Sequence, residues 1–153
     1  MGAAYFYHLT RNPVAVTLAM LAEKSLAAGW RVEVRGRAHA LLENIDVTLW
    51  QREGFLPHGL AGGPHDADQP ILLTTAPTCA EGTACLMAID GVDVSAEEVA
   101  ALSRVCILFD GHSEEAVARA RVQWKSLTDA GVAAQYWSEA DGRWEKKAEA
   151  NAP

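Results

Sequence analysis

Residues 3–35 read AAYFYHLTRNPVAVTLAMLAEKSLAAGWRVEVR, and this stretch decides the fold class. Ala3 to Leu9 is short, apolar and aromatic-rich, the composition of a buried strand. Thr10-Arg11-Asn12-Pro13 reads as a helix opening, with Asn12 as N-cap and Pro13 at the first helical position, where its missing N–H leaves no bond unmade. From Val14 to Ala28 the apolar residues Leu18, Leu21, Ala22 and Leu26 recur at helical spacing, and Gly29 ends the run. In Trp30 to Arg35 the period drops to two, because Arg31, Glu33 and Arg35 alternate with Trp30, Val32 and Val34. Alternation of this kind predicts a strand with one wet face or an edge position.

The same grammar continues outward. Ala38 to Trp50 is helical through Leu41, Leu42, Ile45 and Leu49, and residues 52–70, with Gly54, Gly59, Gly62, Gly63, Pro57, Pro64 and Pro70, form a loop. Pro70 to Thr75, Ala84 to Ile89 and Arg104 to Phe109 are compact apolar runs suited to central strands. A short helix is expected over Ser95 to Leu102, with Ser95 and Glu98 spaced as a capping box. A long helix covers Ser113 to Ala130 with Gly131 as its left-handed cap, and Val132 to Trp137 is the last strand. Strands and helices alternating at these lengths give a single α/β domain with a mostly parallel sheet, covered on both faces and joined by right-handed crossovers. The Ala- and charge-rich segment Glu145 to Pro153 is expected to fray, which puts the domain at residues 1–144.

The net charge of −7 disfavours direct nucleic-acid binding, since neutralising phosphates calls for a basic excess. The imbalance is uneven: residues 1–112 carry 13 acids and 7 bases, whereas residues 113–153 carry 7 and 6, so a basic surface belongs in the C-terminal quarter. Cys79, Cys85 and Cys106 form no Cys-x-x-Cys pair and read as reduced, packed thiols. No run approaches the roughly 20 apolar residues that span a bilayer, no leader pattern opens the chain, and a cytoplasmic location is expected.

An α/β sheet raises the question of a nucleotide site. The glycine-rich candidate Leu60-Ala61-Gly62-Gly63-Pro64 fits neither phosphate-binding pattern, and Pro64 lacks the N–H such a cradle would use. Asp110 and His112 sit at a strand end and could serve a small hydrolase; the simpler reading is a turn at Asp110-Gly111 with Ser113 capping the next helix. His58 and His65 near Asp66 and Asp68 match no metal-ligand spacing, and neither metal nor cofactor is expected. On the helix 113–130, Ala116, Ala120, Trp124 and Leu127 form the stripe expected to face the sheet. Val117, Arg121 and Lys125 lie at i, i+4 and i+8 on an adjoining face. Such a face suits a ligand carrying a carboxylate and an apolar side chain, although on pattern alone a solvated helix surface is the favoured reading.

Several segments together resemble one family. They are Phe6-Tyr7, then Leu49-Trp50 with Phe55-Leu56-Pro57-His58-Gly59-Leu60-Ala61-Gly62, then Pro70-Ile71-Leu72-Leu73, and Ala118-Arg119-Ala120-Arg121-Val122-Gln123-Trp124-Lys125 before Ala130-Gly131. Their order and spacing are similar to the chi subunit of bacterial DNA polymerase III holoenzyme. The resemblance implies a non-catalytic accessory protein with a Rossmann-like three-layer fold. It further implies two partners, the psi subunit of the clamp-loader assembly and the acidic C-terminal tail of single-stranded DNA-binding protein, with DNA engaged only indirectly. Carried onto this chain, the tail site is Val117, Arg121, Trp124 and Lys125, and the psi-facing side is Trp50, Phe55, Pro57 and His58.

Overall fold

The structure is a computed structural model and describes residues 2–52, 54, 56–140 and 143–151. Along the chain run β1 (Ala3–Leu9), α1 (Val14–Ala27), β2 (Arg31–Arg35), α2 (His39–Gln51), β3 (Gly59–Leu60), β4 (Ile71–Thr74) and β5 (Thr83–Ala88). They are followed by α3 (Ala96–Ala101), β6 (Arg104–Asp110), α4 (Glu114–Asp129), β7 (Ala133–Ala140) and β8 (Arg143–Ala150). The strands make one sheet in the order β3-β4-β2-β5-β6-β1-β7-β8, parallel throughout except for β8, which runs antiparallel to β7. It is the single-domain α/β, Rossmann-like three-layer fold that the sequence predicts.

Alternation along each strand sorts its side chains between two cores. On one face Tyr7, Leu9, Val32, Val34, Met87 and Leu108 pack under Leu18 and Ala22 of α1 and Leu42, Ile45 and Leu49 of α2. On the other, Phe6, Leu86, Val105 and Ile107 pack under Val99 of α3 and Ala120 and Leu127 of α4. Helices α1 and α2 therefore cover one side of the sheet, α3 and α4 the other. Ser95 and Glu98 form the expected capping box at α3, and Gly131 follows α4 at φ +89°, a left-handed position open to glycine.

Three expectations are corrected. First, β2 is neither wet nor at an edge: it lies between β4 and β5, and Glu33 and Arg35 are each only 1% exposed. Their burial is tolerated because each is paired. Arg35 donates to both Glu98 carboxylate oxygens (3.1 and 2.6 Å), and Glu33 accepts from Arg31, the Thr83 hydroxyl and the Ala80 amide. Second, Asn12 does not cap α1. Pro13 occupies the cap position without a side-chain bond, and the Asn12 amide reaches across to Glu139. Third, residues 143–150 are not frayed. They pair along β7, Trp144 meets Tyr7 edge-on (ring centroids 5.4 Å apart), and Asn151 donates to the Thr128 and Val132 carbonyls.

Candidate functional site

Helix α4 opens at Ser113, whose hydroxyl accepts from the Ala116 amide, and Glu114 and Glu115 stand against its positive end. Its 16 residues run without a break, so Val117, Arg121 and Lys125 succeed one another on one face. Val117 is half-buried at the edge of the core; Arg121 and Lys125 are exposed. The two cations are not equivalent. Lys125 pairs with Asp129 at 2.9 Å, whereas among the described residues no acid pairs with Arg121.

Beside Arg121 lies an aromatic wall. Trp124 sits edge-on to Phe6 (5.3 Å) and to Tyr136 (5.9 Å), and Tyr136 in turn touches Phe109 (5.9 Å) and His8 (5.9 Å). The Tyr136 hydroxyl and His8 Nδ1 are 2.8 Å apart. Burial pushes the His8 imidazole pKa down; a bond to the Gly111 backbone opposes this, and the charges of Arg121 and His112 add to the depression. The shift favours the neutral ring, whose Nδ1 shares a hydrogen bond with the Tyr136 hydroxyl. Burial raises the Tyr136 pKa, and Arg121 partly offsets that rise. A half-buried, neutral aromatic surface thus adjoins a guanidinium with no acid partner among the described residues, a combination able to take a carboxylate and an apolar side chain together.

The second expected surface is on the other face of the sheet. Trp50 and Val47 are more than half exposed on α2, and the Trp50 ring packs on His58 at 4.3 Å. His58 itself is buried, with Nδ1 2.6 Å from the Leu56 carbonyl and Nε2 3.1 Å from an Asp46 carboxylate oxygen, so it shapes the loop beneath Trp50. Pro57 is half-buried, and Phe55 lies outside the described residues.

The hydrolase or nucleotide alternative fares differently. Asp110 accepts from the His112 amide, and His112 Nε2 donates to the Thr10 carbonyl at 2.7 Å, so both are spent on the turn. The Gly62 and Gly63 amides both donate to the Asp66 carboxylate. These glycines follow β3, four strand positions from β6, a lateral distance of about 19 Å at ~4.8 Å per strand. The pieces do not assemble into one site. A cavity of about 520 Å³ opens at the ends of β5 and β6, floored by Ile89, Ile107 and Ala120. At its mouth Arg37 and Arg119 donate to the neighbouring Asp90 and Gly91 carbonyls. Among the described residues no three His, Cys, Asp or Glu side chains gather as a metal group. No helix among them is long and apolar enough to cross a membrane.

Compared with models of known families, residues 1–135 match the DNA polymerase III chi subunit, HolC. This chain belongs to the chi subunit family. No curated protein matches it. Chi is an accessory subunit of the replicative polymerase, which places this chain in DNA replication as a component of the polymerase III assembly. The match stops one residue before Tyr136, so β7 contributes this residue of the candidate site from outside the matched segment. His8, Phe109 and Tyr136 were not among the residues that the sequence singled out. The available signal was the alternation Ala134, Tyr136, Ser138 on β7, which puts Tyr136 on the α4 side.

Proposed function

We propose that this chi-family protein is a non-catalytic adaptor linking the clamp-loader complex to single-stranded DNA-binding protein. In this reading Arg121, Lys125, Trp124 and Val117 receive the acidic C-terminal tail of that protein, while Trp50, Phe55, Pro57 and His58 belong to the side facing a psi subunit. The observation that carries it is the Arg121 guanidinium, without an acid partner among the described residues, beside the aromatic wall of Trp124 and Tyr136. The guanidinium suits the terminal carboxylate, and the wall suits an apolar residue next to it. Trp50 and Val47 supply a compact apolar patch of the kind that anchors protein interfaces. The turn-bound state of Asp110 and His112 favours the adaptor over a hydrolase.

Titrating the protein with a peptide ending in the source's own single-strand-binding-protein tail tests this directly. Saturable binding is expected, and it should weaken sharply when the peptide lacks its last residue. Arg121→Ala should cost about 1.5–3 kcal/mol, the loss of a charge-assisted contact. Lys125→Ala should cost less, because Asp129 already holds that ammonium. Unchanged affinity in Arg121→Ala removes the assigned site, and absence of any binding removes the tail reading.

A further inference from the structure

The ladder between β1 and β7 ends at His8↔Ser138, yet the two segments stay joined beyond it, chiefly through the Glu139 carboxylate. Glu139 is 7% exposed, and its Oε1 accepts from three successive backbone amides, Thr10 (3.1 Å), Arg11 (3.2 Å) and Asn12 (3.4 Å). Its Oε2 accepts from Asn12 Nδ2 (2.8 Å), and the Thr10 hydroxyl donates to the Glu139 carbonyl (3.0 Å). A carboxylate thus fills the nest of amides formed by the β1–α1 turn. From there the bonding continues: the Thr10 carbonyl accepts from His112, the His112 amide donates to Asp110, and the Gly111 amide donates to the Leu9 carbonyl. Gly111 is packed so tightly on the His8 ring that a Cβ there would overlap it. The end of β7, the β1–α1 turn and the β6–α4 turn are therefore one bonded unit, and His8 and Tyr136 stand on it.

We infer that Glu139 is a positioning residue for the tail-peptide site, an inference that rests on the reading of Arg121 and its aromatic wall given above. Glu139 does not touch the peptide. It ties the segment just beyond the last β1–β7 pair, His8↔Ser138, to the β1–α1 turn, and so keeps the ladder that sets Tyr136 beside His8, in the aromatic wall next to Arg121, from opening at that end. The ladder itself stops at His8↔Ser138, and beyond it the carboxylate is the only acid among the described residues that bonds to the turn amides of residues 10–12.

The test compares wild type, Arg121→Ala, Glu139→Ala and Glu139→Gln in the tail-peptide titration, well below every thermal midpoint. Glu139→Ala should weaken binding roughly five-fold or more, the lower end of ordinary coupling between sites. Added acetate should restore part of that loss by entering the vacated nest. In wild type acetate should leave binding unchanged or weaken it, a sign difference that general destabilisation would not produce. Amide exchange at residues 10–12 should accelerate in either Glu139 variant while β5 stays protected, and this readout serves if Glu139→Ala does not fold. Wild-type affinity in Glu139→Ala with weakened binding in Arg121→Ala overturns the positioning role alone. Unaltered exchange at residues 10–12 in Glu139→Gln overturns it as well. Unchanged binding in Arg121→Ala removes the site, and the inference with it.

Discussion

Glu139 also leaves a mark on stability. Burial raises its pKa, but the bonds from Arg11, Asn12 and Thr10 outweigh that, and the carboxyl sits below its ordinary value of 4.5. A depressed carboxyl pKa contributes stability that is complete above the unfolded value and is lost as pH falls through the folded one. Thermal midpoints of wild type and Glu139→Gln should accordingly differ at neutral pH and converge as pH drops below about 4.5. A gap that stays constant down to strong acid would show that the carboxylate is not ionised in the turn. Cys79 offers a contrast at the same scale. Burial, with the Glu33 charge behind it, pushes its thiol up to about 11 despite the nearby Arg35, so it is a poor nucleophile at neutral pH.

At the scale of elements, α3 performs a task larger than its six residues suggest. Glu98 closes the capping box with Ser95 and at the same time neutralises Arg35 in the middle of the sheet. Glu98→Ala removes the cap partner and leaves a guanidinium buried without its counter-charge, which should cost roughly 3 kcal/mol in denaturant unfolding. A loss under 1 kcal/mol, the size of an exposed ion pair, would mean that water already solvates Arg35. This pairing also shows where the sequence stops being legible. Helices and strands could be read from their periods because burial imposes the period. The alternation Arg31, Glu33, Arg35 has the right period too, but charges facing water and charges facing partners from residue 98 look identical in one strand. Asn12 poses the same problem: its local chemistry suits a cap, and a carboxylate 127 positions away takes it instead. The face carrying Val117, Arg121 and Lys125 was readable because its residues are neighbours on one helix. His8 and Tyr136 were not, because their meeting depends on strand order.

At the scale of the molecule, β8 closes one side of the sheet. Its composition, with Lys146, Lys147, Glu145 and Glu149 exposed, is that of a guarded edge, which explains why it reads as a tail. A chain ending at Ala140 would present the open edge of β7 and lose the Trp144 contact with Tyr7. Size-exclusion chromatography should then show self-association, together with a lowered thermal midpoint. A monomer of undiminished stability would show that the strand is dispensable.

Because α2 and α4 lie on opposite sides of the sheet, Trp50 and Arg121 are separated by the whole stack, on the order of 20 Å through two helix–sheet interfaces. Partners docked as proposed on these two sides would face away from each other. Occupancy of the two ends should then be statistically independent, with each dissociation constant indifferent to saturation of the opposite end. The molecule would work as a passive coupling whose strength is set by tethering two weak attachments at once, so that the assembly gains avidity while each joint stays readily exchangeable.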